Sequence, residues 1–268
     1  MRCAGSARRP AASSSSSASV WRWNCRSTTE LAAGRGCGHH AGPRNPTRGP
    51  RLMAKHLAYH LEELKIALDE GDSRRVLPQL RDGDSTVLDV GCGIGQSLIA
   101  LGTEGRRCIG IDVDEAAIVH GRQTFGDRLQ LEVAGAERIP LDAGTVDLAM
   151  CRVSLPYTDV PRALAEMRRV LRPGGRIWLT LHDRRTVLGY LGEAWRARSV
   201  ARLAHVLYIL GNGWLFELTG RVLPYLNGRY ESWQSPGAVS RRLARLGFEV
   251  EVRVEGRHTV VEGRLPQA

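Results

Sequence analysis

Asp89 stands two residues ahead of alternating glycines, Gly91, Gly93 and Gly95, within Val-Leu-Asp-Val-Gly-Cys-Gly-Ile-Gly-Gln-Ser at 87–97. Glycine lets a chain turn sharply and brings bare backbone against a ligand. The apolar pair Val87 and Leu88 reads as part of a short buried parallel strand. Ser97 to Leu101 reads as a helix, whose first N–H groups lack partners within the helix and face the turn. Strand, glycine turn and helix in this order make a nucleotide-cofactor site.

The spacing narrows the choice of ligand. Dinucleotide turns use G-x-G-x-x-G, whereas here the third glycine comes one residue early and Gln96 stands where that pattern wants glycine. A carboxylate two residues before the first glycine is awkward beside a pyrophosphate. It suits a ligand that carries an ammonium and a sulfonium, and S-adenosylmethionine is such a ligand. Downstream, the strand Arg107–Ile111 ends in Asp112, 23 residues after Asp89. An acidic residue about 20 positions on is placed to accept hydrogen bonds from ribose hydroxyls.

Four ordered segments then complete a pattern: Val87–Ser97, Cys108–Glu115, Gly135–Asp147 and Glu166–Gly175. Together they resemble the class I S-adenosylmethionine-dependent methyltransferases, in the branch of small-molecule enzymes of the ubiquinone and menaquinone type. The resemblance covers residues 54–182 well and the rest loosely. It implies a Rossmann-like α/β fold: a doubly wound, mostly parallel seven-stranded sheet, helices on both faces, and a last strand inserted antiparallel.

Ligands of such sheets sit outside the carboxyl ends of the strands. On that rule and the resemblance, Gly91, Gly93 and Gly95 line the methionine half, with Asp89 anchoring its ammonium directly or through water. Cys92 packs beneath the cofactor as a small side chain rather than acting as a nucleophile. Asp112 takes the ribose and Val113 packs on the adenine. Ala136 and Glu137 follow the third strand, where the family presents a backbone N–H and an acidic side chain to the adenine edge. The family commonly has Asp where this chain has Gly135, so Glu137 either takes over that contact or is a solvated surface residue. Arg152 matches a position whose backbone meets the methionine moiety; the alternative is a charged surface residue.

Methyl transfer asks little of a protein, because a sulfonium is already activated and in-line placement supplies much of the acceleration. An oxygen acceptor usually needs a base, and Tyr157, His182 and Asp183 follow the fourth and fifth strands. Arg152–Tyr157 contains no Asn-Pro-Pro-Tyr-like tetrapeptide, which argues against the branches that methylate nucleic-acid amino groups or protein glutamine. The insertion at about 184–234 is helical and apolar, with Gly211-Asn212-Gly213 expected to break it into two helices. Between the fifth strand and the next helix, it is expected to cover the acceptor side of the cleft and to suit a small hydrophobic substrate, the alternatives being a cap packed on the core or a dimer contact. Asn212, Tyr225, Tyr230 and Glu231 could orient a hydroxyl there.

The elements that position these residues alternate. Leu57, Leu61, Leu64 and Leu68 make a helical stripe in a first helix opened by Met53, and a short helix is expected from Ser73. Strands are expected at 86–90, 107–111, 129–133, 146–151 and 176–181, with helices from Gln96, Asp114 and Asp159 between them. Pro173-Gly174-Gly175 stops the helix that Asp159 caps, and Phe248–Val254 and Thr259–Gly263 read as a closing pair.

The formal charge of +10 is not a nucleic-acid signature. Residues 1–52 hold nine arginines against Glu30, a net of +8, which leaves +2 for 53–268. That Ser-, Gly- and Pro-rich segment is expected to be a disordered extension, read either as sequence upstream of a start at Met53 or as an organelle transit peptide. The methyltransferase domain then spans 53–268. No stretch of 18 apolar residues and no apolar signal core are present, so a cytoplasmic protein is expected. Cys37-Gly38-His39-His40 has no second ligand cluster at zinc spacing, and no metal is expected. The favoured reading is a methyltransferase acting on a small, hydrophobic molecule. Its alternatives are a catalytically silent S-adenosylmethionine-binding interaction protein and an NAD(P)-dependent oxidoreductase.

Overall fold

The computed structural model describes residues 50–181, 184–256 and 258–267. The expected extension, apart from its last residues, therefore lies outside the described residues, as do His182, Asp183 and the tract Cys37–His40. Seven strands form a sheet in the order β3-β2-β1-β4-β5-β7-β6. They are β1 Thr86–Val90, β2 Arg107–Asp112, β3 Gln130–Val133, β4 Val146–Arg152, β5 Leu171–Leu181, β6 Glu249–Glu255 and β7 His258–Arg264. The first five run parallel, and β7 enters antiparallel between β5 and β6. The order reverses between β1 and β4, which puts the crevice of the doubly wound sheet at the end of β1.

Each central strand is buried on both sides, and its alternate residues feed two separate cores. Leu88, Val90, Ala149, Cys151, Ile177 and Leu179 pack on one face with Ala163, Leu164 and Met167 of α4 (Val160–Val170) and Val239 of α7 (Pro236–Arg245). Val87, Leu148, Met150 and Trp178 pack on the other with Leu98 of α2 (Gln96–Leu101) and Ile118 of α3 (Glu115–Phe125). Because side chains alternate along a strand, Asp89 shares the face of Val87. That register aims a carboxylate at the side where α2 lies.

Several local expectations are corrected. Helix α1 (Pro50–Leu68) begins before Met53, and its leucine stripe is turned inward only in part: Leu57 and Leu64 are half-buried and Leu61 and Leu68 exposed, while Ile66 and Ala67 are buried. No helix forms at Ser73. The Asp72 carboxylate accepts the Arg74 N–H at 2.8 Å and the Asp72 carbonyl accepts that of Arg75 at 2.9 Å, closing a turn before a helix can propagate. Strand β5 starts at Leu171, which pairs with Val146, so Pro173–Gly175 lies within the strand where its register with β4 shifts.

The segment between β5 and α7 forms two helices, α5 (Arg184–Arg196) and α6 (Val200–Thr219). Gly211-Asn212-Gly213 does not break them, because α6 runs straight through. The break falls at Arg198, whose φ of +47° ends α5, and Ser199 caps α6. Gly213 is glycine because the Trp233 ring occupies the space a Cβ would need. Asn212 clamps the following strap: its Nδ2 donates to the carbonyls of Leu223 and Glu231, both at 3.0 Å, and its Oδ1 accepts the Leu223 N–H at 2.8 Å. An amide with donors and acceptor so engaged is structural, not a substrate contact. Val187, Ala194, Val206, Ile209 and Trp233 give this unit a small core of its own.

At the opposite end of the sheet Arg176, only 3% exposed, binds Asp84, Glu262 and the carbonyl of Gln79. Arg176→Met leaves two carboxylates without this partner in a largely buried setting. It should cost about 3–5 kcal/mol, read as a lowered urea midpoint, with cofactor affinity unchanged in the folded protein.

Candidate active site

The glycine turn is tied to its neighbours by backbone. The N–H groups of Gly91 and Cys92 both donate to the carbonyl of Ile111, at 2.8 and 3.0 Å, so the end of β1 is held against the end of β2. Gly91, Gly93 and Gly95 have φ of +80°, +58° and +95°, a region L residues rarely adopt. A Cβ at Gly91 would fall within the Ser154 side chain, and one at Gly93 within the His60 ring. Gln96, which takes the place of a dinucleotide-type glycine, closes the turn by accepting the Ile94 N–H at 3.1 Å. Cys92 is buried beside Gly110, and burial pushes its thiol well above the usual range, so it cannot serve as a thiolate nucleophile.

Asp112 organises the second strand end. Its Oδ2 accepts the Gly93 N–H and its Oδ1 the Asp114 N–H, both at 2.8 Å, and Asp114 in turn caps α3. Each oxygen keeps a further lone pair for a ligand hydroxyl. Next to it Val113 is 67% exposed, an apolar surface at the crevice mouth.

Asp89 is the unusual group. It is 1% exposed, its Oδ1 has no hydrogen-bond partner, and its pKa is pushed up to about 7. Burial is the main cause, and the Asp112 charge adds to it while Arg152 opposes it. A buried carboxylate without full partners is costly and asks for a cation.

Arg152, at the end of β4, is buried, which overturns the alternative of a charged surface residue. Its guanidinium is ion-paired with Glu63 of α1. One helical turn earlier Tyr59 lies on the same face, and burial together with the Glu63 charge drives its phenol far up. Thus α1, read from sequence only through its leucines, delivers Tyr59, His60 and Glu63 to the crevice. Val153 follows Arg152 with φ +58°, strained for a β-branched residue, and its N–H donates to the Thr180 hydroxyl at 3.0 Å. No signal in the sequence marked it.

Ala136 is buried after β3. Glu137 is not a solvated surface residue: its Oε1 accepts the Asp159 N–H at 2.8 Å and secures the start of α4. Gly135 leaves room for this, since a Cβ there would stand 3.0 Å from Glu137 Oε2. Tyr157 ends a single 3-10 turn, Leu155–Tyr157. Burial, then the charge of Glu231, push its phenol far above its usual range. That shift keeps its phenol neutral at ordinary pH. Among the described residues no cluster of three or more His, Cys, Asp or Glu could hold a metal, and no helix is long and apolar enough to cross a membrane.

Residues 88–179 match the family model of the methyltransferase domain, the span that carries the glycine turn, Asp112, Glu137 and Arg152. Over that span the chain carries a methyltransferase domain. An uncharacterised methyltransferase of Mycobacterium bovis is 34% identical over 107 residues, 40% of this chain and 44% of the relative. The chain spans less than half the length of the first curated relatives it matches. In fold, the protein resembles a chain from the complex of the Haloferax volcanii Trm112 methyltransferase activator with a methyltransferase. The TM-score is 0.54 at 17% identity, over 81% of this chain and 96% of that one. It likewise resembles human N-acetylserotonin methyltransferase in complex with S-adenosylmethionine. There the TM-score is 0.52 at 16% identity, over 81% of this chain and 57% of that one.

Proposed function

We propose that this protein transfers a methyl group from S-adenosylmethionine to a small, hydrophobic acceptor. The observation that carries the reading is Asp89, a buried carboxylate with an unsatisfied oxygen beside three glycines of positive φ. The residues present fit the cofactor. Asp89 receives the ammonium, and Gly91, Gly93 and Gly95 admit the methionine half against bare backbone, with Cys92 packed beneath. The free lone pairs of Asp112 take the ribose hydroxyls, and adenine covers the exposed Val113. Backbone at Ala136 and the open Oε2 of Glu137 meet the adenine edge, and the backbone of Arg152 borders the methionine.

The sulfonium supplies an activated methyl group when bound. The chain's part is to orient and to exclude water. Arg152 holds α1 in place through Glu63, and Tyr59 and Tyr157, kept neutral by burial, are phenols of this region. Residues 184–234 carry further apolar and aromatic side chains, and Tyr190 bears on Tyr157, which supports reading this segment as one wall of the acceptor site. In-line placement accounts for much of the acceleration a methyl transfer needs.

Titration calorimetry with S-adenosylmethionine and with NAD tests the assignment: saturable heat with the first and none with the second is expected. Binding of NAD alone would refute it. Asp112→Ala removes the acceptor of the Gly93 and Asp114 N–H groups as well as the ribose contact. A loss of about 1–3 kcal/mol in S-adenosylmethionine affinity is expected, measured by the same titration.

A further inference from the structure

We propose that His205, held by Glu231, is the general base that takes the proton from a phenolic acceptor. This rests on the methyltransferase reading and deepens it. His205 Nε2 lies 2.9 Å from Glu231 Oε2, on α6 and on the strap that follows it. With the Nε2 proton directed at the carboxylate, the lone pair is left on Nδ1, which makes no hydrogen bond among the described residues. A histidine whose other nitrogen is fixed by a carboxylate has the arrangement a base needs, because the tautomer and the ring plane are both set.

The pair is placed by bonds that do not depend on its charge. The Glu231 N–H donates to the Tyr208 hydroxyl at 3.2 Å, the Glu231 carbonyl accepts from Asn212 at 3.0 Å, and the Tyr208 hydroxyl donates to the Leu223 carbonyl at 2.7 Å. The imidazole lies edge-on to Tyr225 at 5.1 Å and stacked with Tyr208 at 6.0 Å. With side chains 37% and 22% exposed, an ion pair of this kind adds little to stability. The strap is already held without it, so the pair is available for chemistry.

Its position joins it to the cofactor crevice. The Ser232 N–H, next to Glu231, donates to the Pro156 carbonyl at 3.0 Å, next to Tyr157. In the same loop the Ser154 hydroxyl donates to the Gly91 carbonyl at 3.2 Å. One short loop therefore touches the glycine turn at one end and the strap of the pair at the other. The Glu231 charge bears on both Tyr157 and Tyr190, and Tyr190 and Tyr59 both lie close enough to Tyr157 to bear on it. Three tyrosines thus lie within electrostatic reach of one another or of Glu231, and aromatic side chains of this kind suit a flat aromatic acceptor carrying a hydroxyl.

The step balances. The acceptor hydroxyl gives its proton to Nδ1 as an oxygen electron pair bonds the methyl carbon. The carbon–sulfur bond breaks with its pair returning to sulfur, leaving a neutral thioether and an imidazolium facing Glu231.

The test compares two probes with radiolabelled S-adenosylmethionine in mildly alkaline buffer. One is 4-methylphenol, whose hydroxyl has the acidity of a tyrosine, about 10; the other is 4-nitrophenol, already ionised there. His205→Asn should slow methylation of 4-methylphenol about 100-fold and that of 4-nitrophenol less than about threefold, with S-adenosylmethionine affinity unchanged. Glu231→Gln should give the same pattern, smaller, and carries the test if His205→Asn does not fold. Equal slowing of both phenols would mean a structural clamp and overturn the proposal. So would a parent protein that binds S-adenosylmethionine by calorimetry yet methylates neither phenol. Absence of that binding would instead strike the methyltransferase reading itself.

Discussion

Asp89→Asn is expected to weaken S-adenosylmethionine binding about 100-fold while raising the melting temperature of the ligand-free protein. The two effects share one cause. The carboxylate is buried with an unpartnered oxygen and a pKa raised from 3.8 to about 7. A carboxyl whose pKa is higher in the folded chain than in the unfolded one holds its proton in the fold over a window the unfolded chain does not. Stability is therefore greatest below pH 4, falls as pH rises between about 4 and 7, and stays reduced above 7. The size of that penalty is roughly 4 kcal/mol at most, and asparagine removes it, so a melt at pH 8 should rise by several degrees. Binding moves the other way. A cation entering beside Asp89 needs the ionised form, so affinity in the parent protein should fall about tenfold for each pH step below 7. Asp89→Asn should abolish that dependence. Calorimetry between pH 5.5 and 8.5 reads both results, and a variant that binds as the parent does would remove Asp89 from the site.

Gly93→Val should abolish detectable S-adenosylmethionine binding in a protein that still folds. Gly93 has φ +58°, a conformation a β-branched residue resists at a cost of about 1–3 kcal/mol. Its N–H donates to Asp112 at 2.8 Å, so a turn that relaxes to relieve the strain also pulls away from the carboxylate expected to meet the ribose. The added Cβ also enters the His60 ring and displaces the inward face of α1 from the crevice. Circular dichroism should be preserved, because the strands on either side are held by ladder bonds that Gly93 does not make. Binding at parental affinity would show that the ligand does not approach this turn.

Most of the fold was legible because its signals are local. Apolar runs marked the five parallel strands, and Asp159 and Asp114 announced the caps of α4 and α3, as the bonds from Arg162 and Ala116 record. The failures came where a local signal met a distant partner. Gly211-Asn212-Gly213 reads as a break, yet Trp233, twenty residues on, needs Gly213 for its ring and Leu223 needs the Asn212 amide. The leucines of α1 suggested its buried face, whereas Arg152 and the crevice turned Tyr59 and Glu63 inward as well. The Ser73 helix lost to the Asp72 carboxylate, which competes for backbone N–H groups at short range.

By itself the sequence determined that a strand, a glycine turn and a helix meet an acidic strand end one unit later. Glycine's freedom and the periods of strand and helix act within a few residues of chain. Only the tertiary structure decided which charges stand together. Arg152 found Glu63 across 89 positions and His205 found Glu231 across 26, pairings set by how helices and strap pack on the sheet. The ionisation of Asp89 was decided in the same way, since burial is a property of the assembled core and not of any segment.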